Sequence, residues 1–162
     1  MNHIQIAADI CREFEGTKLN AYVCPAGKWT IGIGCTFYEN GSPVKKGDKI
    51  TLERAESLLQ FVLLSFSKQI APIITANINE NQRGALLSFA YNVGPDIDAD
   101  TIAEGLGDST LLKKVNANPS DPAIRTEFMK WDKSRNPKTG QLETPHGLIR
   151  RRKFEADTYF SI

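Results

Sequence analysis

The sequence predicts a protein in which a small sheet lobe is joined to a larger helical lobe. Period-two alternation of side chains is confined to one stretch, Leu19–Thr36, and indicates a β-hairpin. The segments on either side follow helical spacing instead. One of them, Thr51–Lys68, carries an apolar stripe long enough for a helix that ties the two lobes together.

Length and composition fit one globular domain. The chain has 162 residues, of which 41% are hydrophobic and 24% charged, and its net charge of +1 neither requires nor excludes an anionic partner. The charged residues among the first fifteen argue against a signal peptide or signal anchor. The longest apolar run, Leu58–Phe66, is too short to span a membrane. We therefore expect a soluble cytosolic product.

The three cysteines, Cys11, Cys24 and Cys35, contain no CxxC pair. Their odd number and spacing indicate neither a disulfide framework nor a zinc site, so at least one thiol is free and no metal is expected. For Cys11, which lies in an apolar helical stripe, we predict a small buried hydrophobic residue.

The first element is an amphipathic helix over residues 3–15, followed by Gly16 at the position of a C-terminal cap. Glu15 lies in the last turn, where the helix dipole disfavours a carboxylate. An isolated glutamate is most often a solvated surface residue. The unfavourable position favours a functional interpretation, because a glutamic acid kept protonated near neutral pH suits a general acid.

The second strand of the hairpin, Trp29–Thr36, has one nearly bare face. Alternation places three small residues on it: Thr30, Gly32 and Gly34. Glycine is tolerated in a strand where another molecule approaches the backbone, so we expect this face to form the bottom of a groove for an extended ligand. A bulge or a tight bend explains the two glycines equally well.

The turn sequence Pro25–Lys28 separates the two strands. If the loop contains five residues, Cys24 and Thr30 lie opposite each other on the same face.

The remainder of the chain is expected to be helical, with polar connections. Thr51 is a candidate N-cap, and Asn79 with Gln82 resembles a capping box. The expected helices cover residues 51–68, 79–94, 109–115, 120–131 and 147–160, with polar loops at 41–49, 94–108 and 133–145. The last helix carries the run Arg150–Lys153, which is either a solvated face or an attraction for an anionic substrate.

One carboxylic acid, a second polar group and a hydroxyl beside a groove are the groups that glycoside hydrolysis requires. Glu15, Cys24 and Thr30 resemble, in identity and spacing, the Glu-x8-(Asp or Cys)-x5-Thr pattern of the phage-type lysozymes, glycoside hydrolase family 24. The context Thr30-Ile31-Gly32-Ile33-Gly34 is similar to that family. So are residues 81–94, 109–112 and 147–152, so that the resemblance covers nearly the whole chain.

The resemblance implies an α+β, lysozyme-like fold with a cleft between its lobes. It implies a single domain over residues 1–162, in which the sheet lobe covers about 15–50 and the helical lobe covers about 70–162 plus helix 3–14. The activity implied is that of an endolysin, a muramidase that hydrolyses the β-1,4 bond between N-acetylmuramic acid and N-acetylglucosamine in bacterial peptidoglycan.

The same resemblance implies roles for individual residues. Glu15 corresponds to the general acid and Thr30 to a residue that positions water. Cys24 occupies the position more often held by aspartate, where it would orient water, supply a thiolate or attack the anomeric carbon. Gly32 and Gly34 are candidates for substrate binding.

The resemblance also implies how the protein reaches its substrate. It implies a monomer without a cofactor, a nucleic-acid partner or stable membrane insertion. Such an enzyme waits in the host cytoplasm until a holin permeabilises the membrane, and then acts on the cell wall in the periplasm.

Two other interpretations stay open at this point. One is a non-catalytic peptidoglycan-binding module, in which Glu15 is incidental. The other is a thiol peptidase or amidase that uses Cys24 with His146, since residues distant in sequence can meet in a fold.

Overall fold

The computed structural model describes residues 1–161; Ile162, the last residue of the expected helical lobe, lies outside this range. The elements combine six α-helices with two short hairpins in the described residues, as expected for a mixed helical and sheet protein. In chain order they are α1 (His3–Glu15), β1 (Lys18–Val23), β2 (Trp29–Gly32), α2 (Leu52–Ile70), a 3₁₀ turn (Ala71–Ile73), α3 (Glu80–Val93), α4 (Thr110–Ala117), α5 (Ala123–Met129), β3 (Ser134–Arg135), β4 (Leu142–Glu143) and α6 (His146–Tyr159).

The first helix has the limits expected from the sequence. Asn2 and Gln5 form a reciprocal capping box, in which each side chain accepts a hydrogen bond of 2.9 Å from the backbone N–H of the other. The helix ends at Glu15 because Gly16 has φ +67°, outside the helical region. These two signals fix the position of Glu15 at the C-terminus of α1.

The second strand is shorter than expected. It ends at Gly32, and Ile31 then pairs with Cys35 through two backbone hydrogen bonds of 2.8 and 3.0 Å. This tight turn requires positive φ at Gly32 (+66°) and at Gly34 (+74°). The prediction of a strand to Thr36 is therefore wrong beyond Gly32, and the alternative of a tight bend is confirmed.

The helix α2 begins after Thr51, whose hydroxyl accepts the Arg54 N–H at 3.1 Å, as predicted. It contributes buried side chains to two hydrophobic clusters. Leu58 and Val62 pack with residues of the hairpin region, whereas Leu59 and Leu63 pack with α1 and α3. The long helix therefore joins the sheet region to the helical core. No helix in residues 1–161 is long and apolar enough to cross a membrane.

The segment expected to be a polar loop over residues 133–145 contains a small second hairpin. Ser134 pairs with Glu143, and Arg135 pairs with Leu142. Strands of two residues are too short to show period-two alternation, so the pattern gave no sign of them. This hairpin leads directly into α6.

Candidate active site

A cleft of about 660 Å³ contains most of the residues singled out by the sequence. Glu15, Cys24, Thr30 and Gly34 line it together with residues 91–94 at the end of α3. A neighbouring cavity of about 540 Å³ shares Glu15 and Cys24 with this cleft. The local hairpin and the end of α1 therefore bring the carboxyl, the thiol and the hydroxyl to one space.

Glu15 is held in the cleft by an arginine from the last helix. The Arg151 Nη1 group donates to Glu15 Oε1 at 2.5 Å. The side chain of Arg151 is 3% exposed and that of Glu15 is 22% exposed. The ion pair therefore links a buried arginine to a carboxyl group that reaches the cleft. One carboxyl oxygen is thus occupied by a buried guanidinium.

Arg151 is in turn held by a carboxylate on its own helix, α6, and by a serine on α3. Its Nε group lies 3.2 Å from Glu155 Oε1, and its Nη2 group donates to the Ser88 carbonyl at 3.3 Å. The Ser88 hydroxyl donates to the same Glu155 oxygen at 2.7 Å. Burial alone would lower the pKa of Arg151, but its attraction, chiefly to Glu155, outweighs this and raises the pKa. Arg151 therefore stays charged beside Glu15.

The four residues Arg150–Lys153 do not share one environment, because the helical repeat places them on different sides of α6. Arg150 and Lys153 are exposed, whereas Arg151 and Arg152 are buried. Arg152 Nη2 donates to Glu155 Oε1 at 3.0 Å, and its guanidinium lies 4.9 Å from the centre of the Phe89 ring. The expectation of one solvated or substrate-attracting face is wrong for these two buried arginines.

The two glycines predicted to bind substrate have different surroundings. A Cβ atom on Gly34 would lie 2.7 Å from Glu15 Oε2, so the bare Cα makes room for the carboxyl group. Gly32 faces α2 instead, where a Cβ atom would lie 3.4 Å from Ile50 and 3.5 Å from Ala55. Within the described residues, Gly32 does not line the cleft or its neighbouring cavity.

The hairpin loop contains five residues, but Cys24 and Thr30 are not directly opposite. Thr30 pairs with Tyr22, and the Cys24 N–H donates to the Lys28 carbonyl at 2.9 Å. This register makes Cys24 and Thr30 diagonal neighbours on one face. The prediction of a shared face is confirmed. That of direct opposition is wrong, because the five-residue loop covers residues 24–28 and the last pair of the hairpin is Val23 with Trp29.

The surroundings of Cys24 stabilise its thiolate, so that the thiol ionises more readily than that of a free cysteine. Partial burial raises the pKa of the thiol, but hydrogen bonds from the Lys28 backbone, the Thr30 hydroxyl and the Ala26 backbone outweigh it and lower the pKa below 9.0. Thr30 is itself buried, and its hydroxyl lies 2.9 Å from the Lys28 carbonyl. Thr30 therefore connects the thiol to the hairpin backbone.

The other two thiols are buried. Burial raises the pKa of Cys11 to about 12, which confirms its interpretation as a small core residue. Burial also raises the pKa of Cys35, whose sulfur lies 3.3 Å from the Tyr91 hydroxyl. All three cysteines are free, and Cys24 alone combines contact with the cleft and a lowered pKa.

His146 does not complete a site with Cys24. It is exposed as the first residue of α6, and no hydrogen bond joins it to Cys24 within residues 1–161. The flanking residues Pro145 and Gly147 line the smaller cavity, but His146 does not. The arrangement of a thiol peptidase is therefore not favoured.

The contact of Arg151 with Glu15, and its support by Glu155, were not expected from the sequence. The separation of four residues between Arg151 and Glu155 on a helix is a signal for an ion pair, but exposed pairs of this kind are common. Nothing in the local pattern distinguishes the buried arginines from their exposed neighbours. Only the packing of α6 against α1 and α3 assigns Arg151 to Glu15.

Comparisons with known proteins identify the family. The family model described as Phage lysozyme matches residues 12–155. The endolysin of Acyrthosiphon pisum secondary endosymbiont phage 1 is 37% identical over 147 residues, which are 90% of this chain and 89% of that protein. The endolysin from Escherichia coli O157:H7 phage FAHEc1 superimposes with a TM-score of 0.82 at 34% identity, over 99% of this chain and 94% of that one.

A second solved structure agrees with this assignment. The muramidase domain of SpmX from Asticaccaulis excentricus superimposes with a TM-score of 0.76 at 27% identity, and the match covers 96% of this chain and 95% of that one. The chain therefore belongs to the phage lysozyme family.

Proposed function

We propose that this member of the phage lysozyme family is an endolysin that cuts the β-1,4 bond between N-acetylmuramic acid and N-acetylglucosamine in bacterial peptidoglycan, with Glu15 as general acid. One observation carries the proposal: the Glu15 carboxyl lies in a cleft that Cys24 and Thr30 also line. The name muramidase, carried by a similar structure, supports the choice of bond.

The contacts of Glu15 leave one of its two carboxyl oxygens without an arginine partner. Arg151 occupies Oε1 at 2.5 Å, so Oε2 is the oxygen left to carry the proton. Gly34 has no side chain beside that oxygen. A Cβ atom on Gly34 would lie 2.7 Å from it, which is too close. A general acid must come within about 3 Å of the departing sugar oxygen, and the bare Cα of Gly34 lets the carboxyl group occupy this position beside the cleft.

Cys24 and Thr30 are proposed to serve the other side of the bond. An oxocarbenium-like transition state is stabilised by a negative charge or by an activated water molecule. A thiolate at Cys24, stabilised chiefly by the Lys28 backbone in the hairpin loop, supplies either function without a second carboxylate. Cys24 thereby takes the part that an aspartate plays in many relatives of this pattern.

Product analysis tests the proposed reaction. Incubation of purified peptidoglycan with the protein is expected to release new reducing ends, together with clearing of cells made permeable to protein. New amino termini in place of reducing ends would identify a peptidase or amidase. Binding without either product would identify a wall-binding module and overturn the proposal.

The dependence of activity on pH tests the thiolate. Activity of the wild type relative to Cys24→Asp is expected to rise about tenfold per pH unit below the thiol pKa, because the thiolate fraction grows while an ordinary aspartate (pKa ~3.9) is already ionised. The ratio removes titrations that both enzymes share. Cys24→Ser should lose most activity throughout. A pH-independent ratio, or a fully active serine variant, would show that thiol chemistry is dispensable.

We further propose that the chain acts as a monomeric single domain, with lobes over residues 15–50 and 70–162 plus helix 3–14, and that a holin releases it. Peptidoglycan lies outside the cytoplasmic membrane, so the proposed substrate requires passage across it. Expression with and without a holin tests release: lysis should wait for the holin. Periplasmic protein before lysis in cells lacking a holin would contradict the proposal.

A further inference from the structure

A tyrosine near the end of α3 contacts the turn that follows β2. The Tyr91 hydroxyl donates to the Ile33 carbonyl at 2.6 Å, although the two residues lie 58 positions apart in the sequence. The ring of Tyr91 lines the larger cavity and packs edge-on against Phe66 of α2, with 5.9 Å between the ring centres. One short hydrogen bond therefore joins α3 to the turn.

The thiol of Cys35 makes a second contact with the same hydroxyl. Its sulfur lies 3.3 Å from the Tyr91 oxygen and 4.0 Å from the Ile33 carbonyl oxygen, so the hydroxyl is the nearer acceptor. Burial raises the pKa of both the tyrosine and the thiol, so each group keeps its proton near neutral pH. The thiol therefore donates to the tyrosine oxygen while the tyrosine donates to the carbonyl. The residues on both sides of Gly34 are thus tied to one side chain of α3.

The hydrogen bond from Tyr91 bears on the peptide group between Ile33 and Gly34. The Ile33 side chain is fully buried, which holds its Cα atom, but the plane of the peptide group that follows can still turn. Glycine adopts positive and negative φ about equally readily, so Gly34 by itself has little preference for its observed φ of +74°. The hydrogen bond favours the observed orientation, in which the Ile33 carbonyl points toward α3.

The same part of the turn borders the carboxyl group of Glu15. A Cβ atom on Gly34 would lie 2.7 Å from Glu15 Oε2 and 2.8 Å from Glu15 Cδ, so the carboxyl group rests against the turn. Rotation of the peptide group changes which Gly34 atoms face the carboxyl group, and therefore where that group can lie. Within residues 1–161 the Tyr91 hydroxyl has no hydrogen bond to Glu15, so its effect on Glu15 passes through the turn.

We propose that Tyr91 is a positioning residue for the general acid. Its hydroxyl holds the peptide group between Ile33 and Gly34 in the orientation that keeps the Glu15 carboxyl group in place beside the cleft. Since this role serves the acid proposed at Glu15, it rests on the proposed function. It adds a residue of α3 to the groups that position the carboxyl group, besides Arg151 of α6.

Tyr91→Phe tests this role, because it keeps the ring and removes only the hydroxyl. Displacement of a catalytic group by about 1 Å can cost about 10²-fold in rate, and the loss of one hydrogen bond allows a smaller movement, so we expect kcat for the release of reducing ends to fall about tenfold. KM should change less than about twofold, since the ring still lines the cleft. An unchanged kcat, or a change confined to KM, would overturn the proposal.

Tyr159→Phe is the matched control. The Tyr159 hydroxyl also donates to a backbone carbonyl, that of Pro119 at 2.9 Å, and within the described residues Tyr159 belongs to the helical core and lines neither cavity. Each substitution removes one hydrogen bond from tyrosine to a carbonyl, so each should lower Tm by about 2–4 °C. Only Tyr91→Phe should lower kcat. An equal fall of kcat in both variants would show a general effect of stability and contradict the proposed role.

A double substitution shows whether the hydroxyl acts through Glu15. In Gly34→Ala the new Cβ atom already displaces the carboxyl group. Addition of Tyr91→Phe to this variant should therefore lower kcat by less than about threefold, because the two changes act on the position of one group and are not additive. A full further tenfold loss would show that Tyr91 acts independently of Glu15.

Hydrogen exchange measures the turn itself, without using activity. The Cys35 N–H donates to the Ile31 carbonyl at 3.0 Å across the turn. Its exchange should be faster in Tyr91→Phe than in the wild type and in Tyr159→Phe, and equal exchange in all three proteins would count against a hold on the turn. If product analysis excluded glycoside cleavage, the proposed function would fail while this measurement still reported whether the hydroxyl holds the turn, so the two failures are distinguishable.

Discussion

Replacing Glu15 by glutamine is expected to lower kcat for peptidoglycan cleavage at least about 10³-fold, within the usual range for loss of a general acid. Glutamine has nearly the same shape, and its carbonyl still accepts the Arg151 N–H that Glu15 Oε1 accepts at 2.5 Å. It cannot donate a proton as a carboxylic acid does. The release of reducing ends, measured at saturating substrate, gives the ratio directly.

Glu13→Gln is the matched control for this substitution. Glu13 lies two residues earlier on the same helix, is exposed, and only approaches Arg150 at 3.8 Å. Its replacement should leave kcat unchanged. A Glu15→Gln enzyme that keeps the wild-type circular dichroism and more than a tenth of wild-type kcat would remove Glu15 from the mechanism.

The second large effect is expected at Gly34. Alanine at this position would place its Cβ atom 2.7 Å from Glu15 Oε2, so the carboxyl must move away. The end of a glutamate side chain moves at little energetic cost, but displacement of a catalytic group by about 1 Å can cost about 10²-fold in rate. Gly34→Ala should therefore lower kcat at least about 10²-fold.

Gly41→Ala separates this displacement from backbone strain. Both glycines have positive φ, +74° at Gly34 and +82° at Gly41, but nothing lies within 4 Å of a Cβ atom on Gly41. Each substitution is expected to lower the free energy of unfolding by about 1–2 kcal/mol, the usual cost of a left-handed alanine. Urea unfolding checks this, and equal kcat values for the two variants would show that Gly34 does not protect the position of Glu15.

Both substitutions act on one carboxyl group, which has a close neighbour at each of its oxygens. The buried Arg151 contacts Oε1, and Gly34 lies directly beside Oε2. Glu155 and the Ser88 hydroxyl fix the arginine in turn. The carboxyl group that we propose as general acid is thus positioned by three helices and by a turn of the hairpin region, although it belongs to the last residue of α1.

The sequence by itself determined the limits of α1, the start of α3 and the convergence of the stretch from Glu15 to Thr30. Caps are local, so Asn79 with Gln82 set the start of α3, and Gly16 set the end of α1. Glu15, Cys24 and Thr30 come together because a short hairpin returns the chain to the end of α1, within one continuous segment.

Only the tertiary structure decided which groups surround that stretch. Arg151 lies 136 residues from Glu15, and its burial follows from helix packing that no local period encodes. The turn at Gly34 forms because Ile31 pairs with Cys35. It affects the site because Gly34 lies against the carboxyl group of Glu15, which belongs to α1. Local patterns report backbone preference, whereas contact between distant side chains depends on how whole elements pack.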